Sequence, residues 1–256
     1  MIIKEFGYTE LPIEFNSKKH EYILDNLPLI GTTTIIGMKK KDFLMYWTVK
    51  EMYKYLKTNW KLSKKYTGDE KEELLMSGKT AWTRKKDKAL DSGTIAHDMI
   101  DDSIRSGERE DPEEIENEEV RNAYQAFIDW EKEHKIEYLA SEIIVGSRKN
   151  WVAGTIDAVA MVDDRLEVLD WKTSNQLSED VFLQTASYRM CLEEGGVEGE
   201  IGRRCVRFDK KGNGFEDYVI PSDYNKDIRT FLSLLTTYRW DRDINKYKNY
   251  KGQLNK

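Results

Sequence analysis

The sequence predicts an α/β fold, and three observations carry that prediction. Strand-like segments alternate along the chain with segments of helical period, two strands flank a tight Asp163-Asp164 turn, and a long amphipathic stretch covers residues 118–135. At 256 residues and a formal net charge of -6, the chain suits one large domain, or a core with a subdomain attached.

Each element follows in turn. Tyr22-Ile23-Leu24 and Thr32-Thr33-Thr34-Ile35-Ile36, separated by Asp25-Asn26-Leu27-Pro28, predict a small β-hairpin. Asp42 is placed to cap a helix running from Phe43 through Trp47 towards Leu56, and a second helix covers residues 70–76 after a loop or broken helix at 57–69. Asp91-Ser92-Gly93 opens the next helix, capped by Asp91 or Ser92, which carries His97 and stops near Gly107. Beyond an acidic loop containing Pro112, the 118–135 helix buries the side marked by Val120, Tyr124, Phe127, Ile128 and Trp130. A strand over 138–145 leads to Trp151-Val152-Ala153 and the hairpin across Asp163-Asp164. Ser178 can cap a helix through Leu192, ended by Gly195-Gly196. Strands at 203–208 and 215–220 flank Lys211-Gly212-Asn213-Gly214, and a helix from Asp223 to about Trp240 precedes a frayed, lysine-rich tail at 246–256.

Composition narrows the function classes. The two cysteines, Cys191 and Cys205, read as small core residues and are too few for a four-cysteine zinc or iron-sulfur site. No stretch approaches the ~20 consecutive apolar residues of a membrane span, so no membrane partner is expected, and the expected location is cytoplasmic. Charge is uneven: lysines and arginines crowd residues 39–88, interleaved with Phe43, Tyr46, Trp47, Tyr53, Tyr55, Trp60, Tyr66 and Trp82, whereas residues 98–142 are acidic. Such asymmetry hints at a nucleic-acid surface on one side, although a solvated helix with its aromatics turned to the core explains individual residues equally well. Ser77-Gly78-Lys79-Thr80 imitates the end of a P-loop, but Glu73 stands where the first glycine is required.

The chemistry centres on Asp157 and Asp170. If Val162 pairs with Arg165 across the turn, counting outward brings Asp157 opposite Asp170, with Cβ atoms about 5 Å apart, where like charges destabilise a ladder. A divalent cation relieves that repulsion, and hard carboxylate oxygens suit Mg²⁺ or Mn²⁺. Lys172 shares the face of Asp170, being two residues along the strand. A lone Asp-x-Lys is most often a solvated strand face, but three polar groups inside two otherwise apolar strands weigh against that.

In chain order the motifs are Gly93 four residues before His97, Gly154-Thr155-Ile156-Asp157, Asp170-Trp171-Lys172-Thr173, and Gln184 four residues before Tyr188. This series resembles the PD-(D/E)XK nucleases, specifically their RecB-like exonuclease branch, over roughly residues 93–188. Leu27-Pro28 and Thr32-Thr33-Thr34-Ile35 also resemble mitochondrial genome maintenance exonuclease and its phage relatives. The resemblance implies a restriction-endonuclease-like core at 91–256, a central mixed β-sheet flanked by helices. Residues 1–90 would supply a hairpin and a basic helical DNA-binding region, an arch or wall over the site. It implies Asp157 and Asp170 as ligands of Mg²⁺ or Mn²⁺, His97 and the backbone carbonyl of Trp171 completing the ligand set, and Lys172 acting on the attacking water and a phosphate oxygen. Gln184 and Tyr188 would orient the site and the DNA strand. The implied activity is a metal-dependent exonuclease working from single-stranded DNA ends in recombination, repair or replication processing. Its implied partners are single-stranded DNA and a single-strand annealing or replication protein.

Other readings stand beside these. His97 alone is more often a satisfied core histidine, and Gln184 and Tyr188 can be helix packing. Glu142 matches a glutamate often seen in this branch, yet an edge-strand salt bridge explains it equally well. A structure-selective or restriction-like endonuclease is the alternative enzyme. A catalytically silent DNA-binding accessory protein is the alternative of another class, and intact Asp157, Asp170 and Lys172 weigh against it. Lys172→Ala is expected to abolish Mg²⁺-dependent degradation of linear single strands and to leave melting nearly unchanged.

Overall fold

In the computed structural model the described residues are 6–39, 42–221 and 223–254. They open with β1 (Glu14–Asn16), β2 (Glu21–Leu24), β3 (Leu27–Pro28) and β4 (Ile30–Gly31). β2 and β3 form a hairpin turning at Asp25 and Asn26 with φ of 52° and 63°, a left-handed backbone that these residue types tolerate, so the returning strand is Leu27–Pro28, within the expected connection, and not Thr32–Ile36. The threonine run is not part of a strand, contrary to its β-branched composition: it forms α1 (Thr32–Ile36), entered from the extended Gly31. Tertiary packing overrides propensity here, because the helical turn delivers Ile35 and Ile36 fully into the core.

The helices α2 (Asp42–Asn59), α3 (Gly68–Lys79), α4 (Ala81–Ser106) and α5 (Glu118–Glu133) follow. α3 is longer than expected because Thr67 and Glu70 form a reciprocal capping box at its start. α4 begins at Ala81 instead of Asp91: Ser92 lies within it, its hydroxyl donating back to the Lys88 carbonyl at 3.4 Å instead of capping. Gly107, with φ 75°, ends it where the sequence indicated. Whether Asp42 caps α2 lies outside the described side chains.

The sheet is built from β5 (Ile136–Ser147), β6 (Val152–Val162), β7 (Arg165–Lys172), β8 (Gly202–Phe208) and β9 (Phe215–Val219), with β4 added beside the start of β6. It is mixed: β5, β6 and β7 run antiparallel in turn, β7 and β8 are parallel, and β8 and β9 are antiparallel. α6 (Asp180–Glu194) connects β7 to β8, and α7 (Tyr224–Leu254) continues as helix through most of the stretch expected to fray. On one sheet face, Ile35, Leu183, Leu192, Phe231 and Leu235 from α1, α6 and α7 pack against Val159 and Val168. On the other, Ile100 and Ile104 of α4 and Phe127 and Trp130 of α5 pack against Ala158, Ala160, Leu169 and Trp171. The alternation of 158 with 159 and 168 with 169 is the period-two rule at work.

Two compact units result, one of Met1–Lys39 with Ala96–Lys256, the other of Lys40–Ile95. The N-terminal hairpin belongs with the sheet, because β4 pairs with β6 and Leu24 is wholly buried. Within the second unit α2 and α3 approach at Gly78, where an added Cβ would lie 3.2 Å from Leu56 Cδ2. Trp47 meets Trp82 edge to face at 6.2 Å, and Glu51 holds Lys54 and Lys85 at 3.1 and 3.2 Å. Among the described residues no helix is long and apolar enough to cross a membrane.

Candidate active site

The site forms where the β6–β7 ladder gives out. β5 occupies one edge of β6 from Val152 to Val162, so β4, at Val152 and Ala153, and β7, at Ala158 to Val162, share the other. Between them residues 154–157 of β6 have no strand on that edge among the described residues. The turn register is the expected one, Val162 opposite Arg165, but pairing stops at Ala158 and Leu169, one step short of Asp157 and Asp170. There the Asp157 carboxylate Oδ2 accepts the backbone N–H of Trp171 at 2.6 Å.

Trp171 is fixed from the opposite face. Its indole is buried against Trp130, Phe208 and Phe127 with centroids at 5.3, 5.6 and 6.2 Å, so an aromatic cluster holds the backbone that serves the site. Asp157, Asp170 and Lys172 are in phase with Val159 and Val168 and turn toward the face that α6 covers.

Lys172 Nζ stands 2.5 Å from Asp170 Oδ2, and the Cys205 thiol approaches the same oxygen at 3.7 Å. The other oxygen, Asp170 Oδ1, is buried without a hydrogen-bond partner among the described residues. Burial pushes the Asp170 carboxyl above its usual range, Lys172 works against that, and Asp157 adds to it. For Asp157 burial acts the same way, but the imidazole of His97, then Lys172 and the Trp171 N–H, hold its carboxyl below the usual range. His97, carried on α4 between the buried Ala96 and Ile100, places Nδ1 3.8 Å from Asp157 Oδ1. Burial disfavours its charge, yet Asp157 raises its pKa overall. Lys172 likewise overcomes burial through Asp170 and Asp157, and stays an ammonium.

Gln184 and Tyr188 come together, the Gln184 amide donating to the Tyr188 hydroxyl at 3.1 Å. Burial first, then Asp170 and Asp157, raise the Tyr188 pKa well above its ordinary value, so its hydroxyl keeps its proton beside the carboxylates. Gly154 makes this approach possible: a Cβ there would lie 2.5 Å from Tyr188 Cε1 and 3.2 Å from Thr32 Oγ1. The glycine of the Gly-x-x-Asp motif thus has a packing reason.

Glu142 has φ 48° and interrupts the β5–β6 pairing between Ser141 opposite Ala158 and Ile143 opposite Ile156, the level of Asp157. It makes no ion pair among the described residues. Burial, then Asp157 and Asp101, push its carboxyl up to about 7. An edge-strand salt bridge therefore does not account for it.

The donor set fits a hard divalent cation: two carboxylates, one with an unsatisfied buried oxygen, an imidazole, and a carbonyl on a strand fixed by its own side chain. No three His, Cys, Asp or Glu side chains among the described residues already form a metal-holding group. In the protein alone Lys172 supplies the positive charge at Asp170 Oδ2, and the Trp171 N–H engages Asp157 Oδ2.

A model of the PD-(D/E)XK nuclease superfamily matches residues 72–248, from within α3 to within α7, covering β5 to β9 and every candidate residue. The chain belongs to the PD-(D/E)XK nuclease superfamily. A search of curated proteins finds no match. Nucleases of this superfamily generally use divalent metals and act on DNA, which agrees with the carboxylate-rich site of this superfamily member.

The sequence gives no site role to Asp101, Ser141 or Cys205, and marks Cys205 only as a small core residue. Asp101 was within reach, since it stands one helical turn beyond His97 on the same face. Cys205 was not, because its pairing with Asp170 joins parallel strands separated by a helix.

Proposed function

We propose that this PD-(D/E)XK protein is a metal-dependent exonuclease of the RecB-like branch, degrading DNA from single-stranded ends on the pattern of mitochondrial genome maintenance exonuclease and its phage relatives. The observation that carries the reading is the buried Asp170, with its unsatisfied oxygen, clustered with the half-buried Asp157 and Lys172 where the β6–β7 pairing stops. Asp157, Asp170, His97 and the Trp171 carbonyl would hold Mg²⁺ or Mn²⁺. When bound, the ion would neutralise charge on the phosphate and lower the pKa of a water.

The residues then have distinct roles. Asp157, oriented by the Trp171 N–H, and Asp170 present oxygens from two strands of one rigid sheet. Lys172, once its tie to Asp170 is shared, offers N–H donors to a phosphate oxygen and to the attacking water. Tyr188, backed by Gln184 and seated on Gly154, keeps a neutral hydroxyl donor beside the carboxylates, where it orients the substrate strand.

The second unit supports the single-strand preference. On α2, Tyr46 and Tyr53 are 79% and 64% exposed, and Lys50, Lys54 and Lys57 lie among and beyond them. Exposed rings with flanking ammonium groups suit stacked bases and a phosphate backbone, at about 1–3 kcal/mol per stacked base. A single-strand annealing or replication protein would deliver such ends during recombination, repair or replication.

The deciding experiment gives linear and circular single-stranded DNA to the wild type and to Lys172→Ala, with Mg²⁺ and with chelator. The expected result is stepwise shortening of linear DNA only, lost in the variant and on chelation. Cutting of the circle would establish an endonuclease instead. Undiminished degradation by Lys172→Ala would overturn the assignment, and DNA binding without any metal-dependent cleavage would make this chain an accessory protein.

A further inference from the structure

Asp101 is at the centre of a polar clamp that the nuclease chemistry does not itself use. Arg105, one turn further along α4, grips its carboxylate with both prongs, Nε to Oδ1 at 2.9 Å and Nη2 to Oδ2 at 2.8 Å, a geometry that fixes a carboxylate's orientation. The same Oδ1 accepts the hydroxyl of Ser141, which is 3% exposed on β5. Ser141 is paired with Ala158, the neighbour of Asp157, and its Oγ lies 3.4 Å from the Asp157 carbonyl oxygen. It also immediately precedes Glu142, where the backbone turns left-handed.

His97 and Asp101 are four residues apart and share one face of α4. One hydroxyl therefore ties the helix that carries His97 to the strands that carry Glu142 and Asp157. The distance it governs is His97 Nδ1 to Asp157 Oδ1, 3.8 Å, slightly beyond hydrogen-bond length. At that range, small shifts of a helix decide whether two groups can share one ligand.

We propose that Asp101 is a positioning residue which, through Ser141, holds His97 and Asp157 at the spacing a common divalent ion requires. The proposal rests on the reading of His97 and Asp157 as ligands of that ion. Outer partners of metal ligands typically contribute about 10–100-fold in affinity.

The test measures Mn²⁺ binding to the full chain by calorimetry without DNA, alongside the Mn²⁺ concentration for half-maximal cleavage and the melting temperature. Asp101→Ala and Ser141→Ala should each weaken Mn²⁺ binding about tenfold or more, and the double variant should weaken it no further, because both break one link. Ser141→Thr, which keeps the hydroxyl, should restore affinity, and Asp101→Asn, which keeps an acceptor for Ser141, should restore part of it. These two also read the effect should an alanine variant fold poorly. A purely structural role would lower melting and leave Mn²⁺ affinity unmoved, and that result overturns the proposal. His97→Ala separates the two readings. If it leaves Mn²⁺ binding intact, the metal assignment falls and the proposal with it. If it weakens binding while Asp101→Ala does not, only the role of Asp101 falls.

Discussion

The backbone N–H of Trp171 donates to Asp157 Oδ2 at 2.6 Å, at the level where the β6–β7 ladder would otherwise set Asp157 against Asp170. A carboxylate takes the place of a ladder carbonyl. One oxygen of Asp157 is thereby engaged with the strand, and the other faces His97. The repulsion that an opposed pair of aspartates creates is met by a backbone donor at one residue and an ammonium at the other, so the bare protein can hold both without a metal.

Asp157→Asn keeps an oxygen for the Trp171 N–H and removes the charge. Its melting temperature should stay near that of the wild type while Mn²⁺-dependent cleavage is lost. Asp157→Ala leaves a partly buried N–H without its acceptor, a loss of about 1–3 kcal/mol. Calorimetric melting of the two variants side by side checks the difference; equal melting would mean that the Trp171 contact contributes nothing.

Lys172→Ala should destabilise the metal-free protein. Asp170 is 1% exposed and Lys172 is its charge partner at 2.5 Å, and breaking a buried pair costs up to about 3–5 kcal/mol. Protonation of Asp170, whose carboxyl burial already pushes up, softens that loss. Mn²⁺ should restore part of the lost melting temperature by replacing the missing charge. This replaces the expectation of unchanged melting, and a metal-free variant that melts at the wild-type temperature would refute it.

What the sequence could express was the local part of this design. The turn at Asp163-Asp164 set Val162 against Arg165, and two-residue periodicity then put Asp157, Asp170 and Lys172 on one face. Long-range packing was not expressed. Thr32 to Ile36 have strand propensity, yet the space between sheet and α6 takes Ile35 and Ile36 from a helix. Ser92 has the look of a cap, but with helix on both sides its hydroxyl finds the Lys88 carbonyl. The proximity of Ser141 to Asp101, and of Cys205 to Asp170, depends on how separate elements dock, which no local pattern encodes.

Gly154→Ala should damage the site through Tyr188. The new methyl would meet Tyr188 Cε1 at 2.5 Å and Thr32 Oγ1 at 3.2 Å, and overpacking of this kind costs about 1–3 kcal/mol. Combining it with Tyr188→Ala should cost less stability than the sum of the single changes, since the clash goes with the ring. Strict additivity in denaturant melts would show that the ring is not what the methyl strikes.

Glu142 should make the metal-free protein less stable as pH rises. Its carboxyl ionises near 4.5 when unperturbed and at about 7 in the fold. Between those values the folded chain keeps a proton that the unfolded chain has released, so stability falls from about pH 5 to about pH 7 and then levels. The fall is on the order of 2–3 kcal/mol. Glu142→Gln removes this component. Urea melts across that range in the presence of chelator decide the matter: a variant with the wild-type slope would place the titration elsewhere.

Arg204→Met should destabilise the fold without touching the chemistry. Arg204 is 5% exposed and lies 2.5 Å from both Glu167 Oε2 and Asp217 Oδ2, and Asp217 also accepts from Trp130 Nε1 at 3.1 Å. Glu167 is fully buried and is out of phase with Asp170 and Lys172 along β7, on the face turned away from the site. Removing the guanidinium strands its carboxylate in the interior, at about 3–5 kcal/mol. Replacing both partners, Arg204→Met with Glu167→Met, removes the charge along with its partner and should recover much of that loss. Cleavage per folded molecule should match the wild type in both variants, because Asp157, Asp170 and Lys172 keep their partners. Loss of activity out of proportion to the folded fraction would mean that the buried pair reaches through β7 to the catalytic face.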